Sequence, residues 1–220
     1  MTKFANSGVA YDGRMASGAS PAVRIERATG AAIERYFDAL ATLRIGVFRE
    51  YPYLYEGSLA YEHDYLASYA GSPPIQDVVA CDGDRVVGAS TALPLTLHSD
   101  DVVPPLARAG FDPGDVYYFG ESVLEPAYRG RGLGSRFFEE RERGARELGF
   151  AIAAFCAVER PADHPRRPPG YQPPGALWRR HGFERRPDIV GTFAWRDVGE
   201  TEDTAKPMVF WIKPLAPRAP

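Results

Sequence analysis

The segment Arg129-Gly130-Arg131-Gly132-Leu133-Gly134 constrains this chain most. Its glycines alternate between an apolar run, Val116 to Leu124, and a helix-like run, Ser135 to Leu148. Alternating glycines let the backbone turn closely and expose its N–H groups. A helix starting just after them aims further unpaired N–H groups, and the positive end of its dipole, at the same point. Such a strand, turn and helix make either a phosphate seat or a purely structural turn. A dinucleotide fingerprint needs G-x-G-x-x-G, whereas this chain has G-x-G-x-G, far from its first strand. A nucleotide-triphosphate loop would need Gly-Lys-Ser/Thr, which is absent.

Around that seat the patterning reads as one α/β unit. Residues 1–20 are rich in Gly, Ala and Ser without hydrophobic period, and are expected to be a flexible leader. Residues 21–220 are expected to form a single domain. Val23 to Ile25 suits a short strand, Ala31 to Phe48 a helix with Ile33, Phe37, Leu40 and Leu43 on one side, and Leu59 to Tyr69 a second helix. Asp77 to Cys81 and Val86 to Leu93 flank Asp82-Gly83-Asp84-Arg85, a strong hairpin signal. His98 to Gly114 reads as a loop or short helical insert. Val116 to Leu124 is the expected central strand. In Ser135 to Leu148, Phe137, Phe138, Arg141, Ala145 and Leu148 share one side, the arginine offering only its stem. Glu139–Arg143 and Glu142–Arg146 have favourable i,i+4 order. Ala151 to Val158 is a buried strand, 161–174 a proline-rich loop, Ala176 to His181 a short helix, and Ile189 to Trp195 and Met208 to Ile212 the last strands.

Composition removes several function classes. A net charge of -3 argues against broad nucleic-acid binding, which needs a dense basic surface. No stretch reaches the roughly 18 apolar residues of a membrane span. The N-terminus lacks an apolar signal core, and Cys81 and Cys156 each sit in an apolar run. Buried thiols in a reducing, cytoplasmic compartment are therefore expected. The histidines and cysteines show no metal-ligand spacing, so no metal is expected.

The glycine segment resembles the signature of the GNAT superfamily of N-acetyltransferases, which include histone and aminoglycoside acetyltransferases. Arg129, Gly132 and Gly134 fill the family's Arg/Gln, Gly and Gly/Ala places after a strand. Trp178, four residues before Gly182-Phe183, stands where that family usually has Tyr. The resemblance spans roughly Val23 to Leu215. It implies an acyl-CoA N-acyltransferase-like fold: a mixed, mainly antiparallel sheet flanked by helices, with two central strands splayed around the cofactor arm. It also implies acetyl-CoA as acyl donor. The backbone N–H groups of Arg131, Gly132, Leu133 and Gly134 would take the pyrophosphate, and Arg129 and Arg131 would add charge. The backbone near Val123 and Leu124 would hold the pantetheine arm.

The implied activity is acetyl transfer from acetyl-CoA to a primary amine. The alternative is a non-catalytic acyl-CoA-binding sensor or regulatory module. Transfer to an amine needs a proton acceptor and a way to release the thiolate. Glu121, inside an otherwise apolar strand, is the candidate base; a salt bridge is the competing reading. Trp178 occupies the proton-donor place, but an indole is not a useful acid, so it is expected to shape the cofactor pocket. Cys156 could act as nucleophile only with His164 in reach; otherwise it is a small buried hydrophobe. Loops commonly carry acceptor residues, which selects Glu50, Tyr51, Tyr53, His164 and Arg167. Glu50 and Glu56 suit a cationic amine, and Arg160, Arg166 and Arg167 a carboxylate. The expected acceptor is a small amine or amino-acid-like compound, and a homodimer is compatible with this reading.

Overall fold

The computed structural model describes residues 23–69, 74–98 and 101–215; the expected leader at 1–20 lies outside them. Seven strands share one sheet in the order β1-β2-β3-β4-β5-β7-β6. They are β1 (Arg24–Thr29), β2 (Gln76–Asp82), β3 (Arg85–Pro94), β4 (Val116–Leu124), β5 (Ile152–Val158), β6 (Glu184–Trp195) and β7 (Thr204–Pro214). All neighbours pair antiparallel except β4 and β5, which are parallel. The β2–β3 hairpin closes through Gly83 at φ +60, a conformation glycine adopts without steric penalty. Helices α1 (Phe37–Phe48) and α2 (Leu59–Tyr69) pack against each other, and α1 also meets β3 and β4. α3 (Val103–Arg108) is short, α4 (Leu133–Glu147) crosses from β4 to β5, and α5 (Gly175–Arg180) precedes β6.

Two features of β4 place the site. First, its pairing with β5 stops after Tyr118–Ala154. The two strands part beyond that point, giving the splay that the family resemblance implies. Second, β4 carries a bulge. Ser90 faces Ser122 but Ala92 faces Phe119, so three steps along β4 match two along β3. The additional residue reverses which face each later side chain takes. Before the bulge, Tyr117 and Phe119 pack with Phe138 and Phe183. After it, Val123 packs with Leu40, Leu43 and Leu66. Glu121 follows Val123 to the α1 face, where it meets Arg44.

Several expected elements differ in detail. Residues Gly30–Tyr36 wind as a 3-10 helix before α1, and Tyr36 donates to Glu26 of β1 at 2.9 Å. Helix α4 begins two residues earlier than expected, because Gly132 at φ +81 caps it with a left-handed turn. Arg143 pairs with Glu140 rather than Glu139. Arg141 is buried to its guanidinium, not merely along its stem.

The bulge depends on a bare α-carbon. A Cβ added at Gly120 would lie 2.3 Å from Thr91 Oγ1. Gly120→Ala is expected to destabilise the protein by about 1–3 kcal/mol in denaturant unfolding. Thr91→Ala should recover part of that loss in the double variant. Stability unchanged in Gly120→Ala would show that the close approach does not shape the strand.

Candidate active site

The splay opens a cavity of about 700 Å³ that runs from Gly134 at the start of α4 to an aromatic chamber beside α1 and α2. The cofactor-side wall includes Gly134, Phe138, Arg141, Phe155, Leu177 and Trp178. The helix start has no side-chain cap, and its first return hydrogen bond runs from Arg136 N to Gly132 O. The N–H groups of Leu133, Gly134 and Ser135 therefore remain available to an anion. Beyond Tyr118, the β5-facing edge of β4 has no strand partner among the described residues. An extended polar arm could satisfy that edge as a strand would. An uncapped helix start at the mouth of an open strand edge fits a pyrophosphate joined to a pantetheine arm.

The flanking arginines are engaged. Arg129 donates to Leu124 O at 3.0 Å and pairs with Glu50 at 2.7 Å. Arg131 lies over the Tyr128 ring, 4.9 Å from its centroid. Val123 is buried, so only its backbone could meet a ligand. Trp178 packs edge-on against Phe155 and Trp211 at 5.0 and 4.9 Å. It walls the cavity and, as an indole, cannot supply a proton.

On the opposite side, Phe48, Tyr53, Tyr55, Tyr61, Tyr65, Phe193 and Trp195 surround the chamber. At its floor, Arg44 forms ion pairs with Glu62 and Glu121. One guanidinium thus meets two carboxylates. The Arg44 guanidinium also lies 4.3 Å from the Tyr65 ring centroid. Arg44 Nε donates to Glu62 Oε2 at 2.5 Å, and its Nη1 faces Glu121 Oε1. Glu121 Oε2 faces Tyr65 Oη at 3.5 Å. Glu121 is salt-bridged, as the competing reading has it, and it also lines the cavity. Sequence reasoning missed Arg44 and Glu62, although Arg44 directly follows Leu43 on the expected apolar face of its helix.

The acceptor-loop candidates separate. Tyr53 is in the chamber wall, whereas Glu50, Tyr51, His164 and Arg167 are not. Glu50 is drawn to Arg129. Tyr51 packs on His164 and Tyr171 at 5.6 and 4.8 Å. Arg167 covers Tyr171. Arg160 is consumed by a clasp: it donates to Pro52 O, Tyr53 O and Asp197 at 2.9, 2.9 and 2.8 Å. Burial opposes ionisation of Asp197, yet hydrogen bonds from Arg160 and Lys206 outweigh it and hold its carboxyl below the usual range. Cys156 meets Tyr118 Oη at 3.0 Å, and burial pushes its thiol up to about 12. It has no His164 beside it and is not a thiolate nucleophile.

The match with known proteins agrees with this geometry. The model of the acetyltransferase (GNAT) family matches residues 40–168, and the chain belongs to that family. No curated protein sequence matches the chain. Similar folds include the ribosomal-protein-alanine N-acetyltransferase from Brucella melitensis, at 19% identity and TM-score 0.55, covering 87% of this chain and 99% of that one. An aminoglycoside 6'-N-acetyltransferase complexed with coenzyme A has 16% identity and TM-score 0.54, covering 89% and 99% respectively. An acetyltransferase from Streptococcus agalactiae has 16% identity and TM-score 0.55, covering 87% and 98%.

A second carboxyl sits behind Glu121. Asp77 of β2 is opposite Thr91 of β3, whose Oγ1 accepts from Glu121 N at 3.1 Å. Burial, then the charge of Glu121, raise Asp77 from 3.8 to about 7, against a smaller opposing effect of Arg44. The folded state thus holds a proton that the unfolded chain releases near 3.8, and loses stability as pH rises from there to about 7. Asp77→Asn should therefore raise the melting temperature increasingly from pH 4 to pH 7, with the gain constant above that window. An equal effect at both ends would show that Asp77 ionises normally in the fold.

Proposed function

We propose that the protein transfers the acetyl group of acetyl-CoA to a primary amine carried on an apolar or aromatic body. The observation that carries this reading is one continuous cavity joining the uncapped start of α4 to an aromatic chamber floored by Arg44 and Glu121. Bound acetyl-CoA supplies an activated thioester. Leu133, Gly134 and Ser135 would hold its phosphates through backbone N–H groups, and the open edge of β4 would align the arm. Belonging to the acetyltransferase family supports the donor, and two of the similar folds are named for transfer to nitrogen.

The chamber selects the acceptor by charge and surface. Two carboxylates around one guanidinium favour a cationic ligand, and the Tyr61 and Tyr65 rings, stacked at 6.5 Å, present faces that attract ammonium groups. Aromatic walls exclude water and lower the cost of burying an apolar body. A carboxylate clamp for an amino-acid-like acceptor finds no support, because Arg160 is bonded within the clasp and Arg167 lies outside the wall. The bound ammonium first loses one proton to solvent. The neutral amine then attacks, and Glu121 receives the second proton as nitrogen bonds to the carbonyl carbon and becomes acidic.

Thiol release from acetyl-CoA with a panel of amines tests the reading. Aromatic or alkyl monoamines should outperform aminoglycosides and free amino acids. Glu121→Gln should lower turnover by about 100- to 10,000-fold while leaving acetyl-CoA affinity nearly intact. Acetyl-CoA binding without release by any amine would instead establish the sensor alternative. Full activity in folded Glu121→Gln would remove the base.

A further inference from the structure

The cofactor-side wall holds a cation that acceptor recognition does not use. Arg141 is 2% exposed, and its guanidinium lies over the rings of Phe119 and Phe138, 4.4 and 4.8 Å from their centroids. Nε donates to Phe137 O at 3.3 Å, and Nη1 to Thr91 O, opposite the bulge, at 3.4 Å. Among the described residues no carboxylate forms an ion pair with it. Glu121 is held by Arg44, and Glu142 turns away to Arg146 and Lys213. A buried cation without a carboxylate is costly and marks a place where an anion would be stabilised.

Its depth is informative. Helix α4 runs back against β4, from the open end of the splay toward its apex. Arg141 lies eight residues after Leu133, about 12 Å along the helix axis. It therefore reaches the level of Phe119, the first β4 residue beyond the pairing with β5. Trp178 and Phe155 line the same cavity.

We propose that Arg141 takes up the negative charge of the departing coenzyme A thiolate. This rests on the acetyl-CoA reading of the site. The amine lone pair forms the C–N bond, the C–S bond breaks with its electron pair on sulfur, and the nitrogen proton passes to Glu121. The sulfur leaves as a thiolate beside Arg141 and is protonated by solvent on release. Other groups are poor acids: Trp178 is an indole, and burial raises Tyr53 and Tyr118 above the usual phenol value. The groups acting on Arg141 are Glu121, Glu142 and Tyr117. Burial outweighs them and lowers it to about 9, still protonated at neutral pH.

Ultraviolet titration of the thiolate of coenzyme A bound to the full chain tests the assignment. The bound thiol should titrate about one pH unit or more below free coenzyme A. Arg141→Gln should abolish that difference, and Arg141→Lys should retain much of it. Desulfo-coenzyme A, which lacks the thiol, should bind wild type and Arg141→Gln alike. An unshifted thiol in wild type, or an unchanged shift in folded Arg141→Gln, overturns the proposal; the wild-type and lysine titrations decide it if the glutamine variant does not fold. Failure of coenzyme A to bind at all overturns the cofactor reading as well, whereas normal binding with an unshifted thiol overturns the Arg141 assignment alone.

Discussion

Thr91 and Gly120 approach so closely that no side chain fits between them, and the orientation of the site follows from that contact. The bulge admits one additional residue to β4, so the strand exchanges faces midway. Phe119 stays with α4, while Glu121 turns to α1. The same irregularity leaves Thr91 O to Arg141, and lets Glu121 N donate to Thr91 Oγ1. An unbroken alternation would have put Glu121 on the side of Phe119, away from Arg44 and the aromatic chamber.

The buried charges then arrange themselves around a sheet only one layer thick. Arg44 and Glu62 lie on one face, Arg141 on the other, and Glu121 interacts with cations on both. Ionised groups this deep persist only when neighbours replace the water they have lost. Asp77 is the member that remains protonated most readily, because burial and Glu121 both oppose its charge. The cluster thus has a fixed part, formed by the arginines, and a titrating part, formed by Asp77.

Much of the architecture was legible because its signals are local. The limits of β4 follow from one apolar run, the hairpin from Asp82-Gly83, and the presence of α4 from its position after alternating glycines, although it starts two residues before the expected Ser135. The charged floor was not, because Arg44, Glu62 and Glu121 lie on separate elements and no spacing joins them. A glycine inside a strand was the available sign of the bulge. The loop candidates failed to converge because polarity marks a loop without saying which way its side chains turn. Glu50 meets Arg129, and Tyr51 meets His164, outside the chamber wall.

The clasp at Arg160 has a mechanical consequence. With only three residue pairs joining β4 to β5, the sheet is two plates meeting along a narrow seam. The loop carrying Tyr53 spans them: Arg160 and Trp195 Nε1 grip its carbonyls from the second plate, while Tyr55 bridges to Asp197. The segment that furnishes part of the acceptor wall is therefore also a cross-brace for the wedge. Replacing this loop to suit a new acceptor would loosen the frame that keeps the wedge open to a fixed width. Tyr61 and Phe193 touch the same chamber without bracing it, so they are where specificity can drift at least mechanical cost.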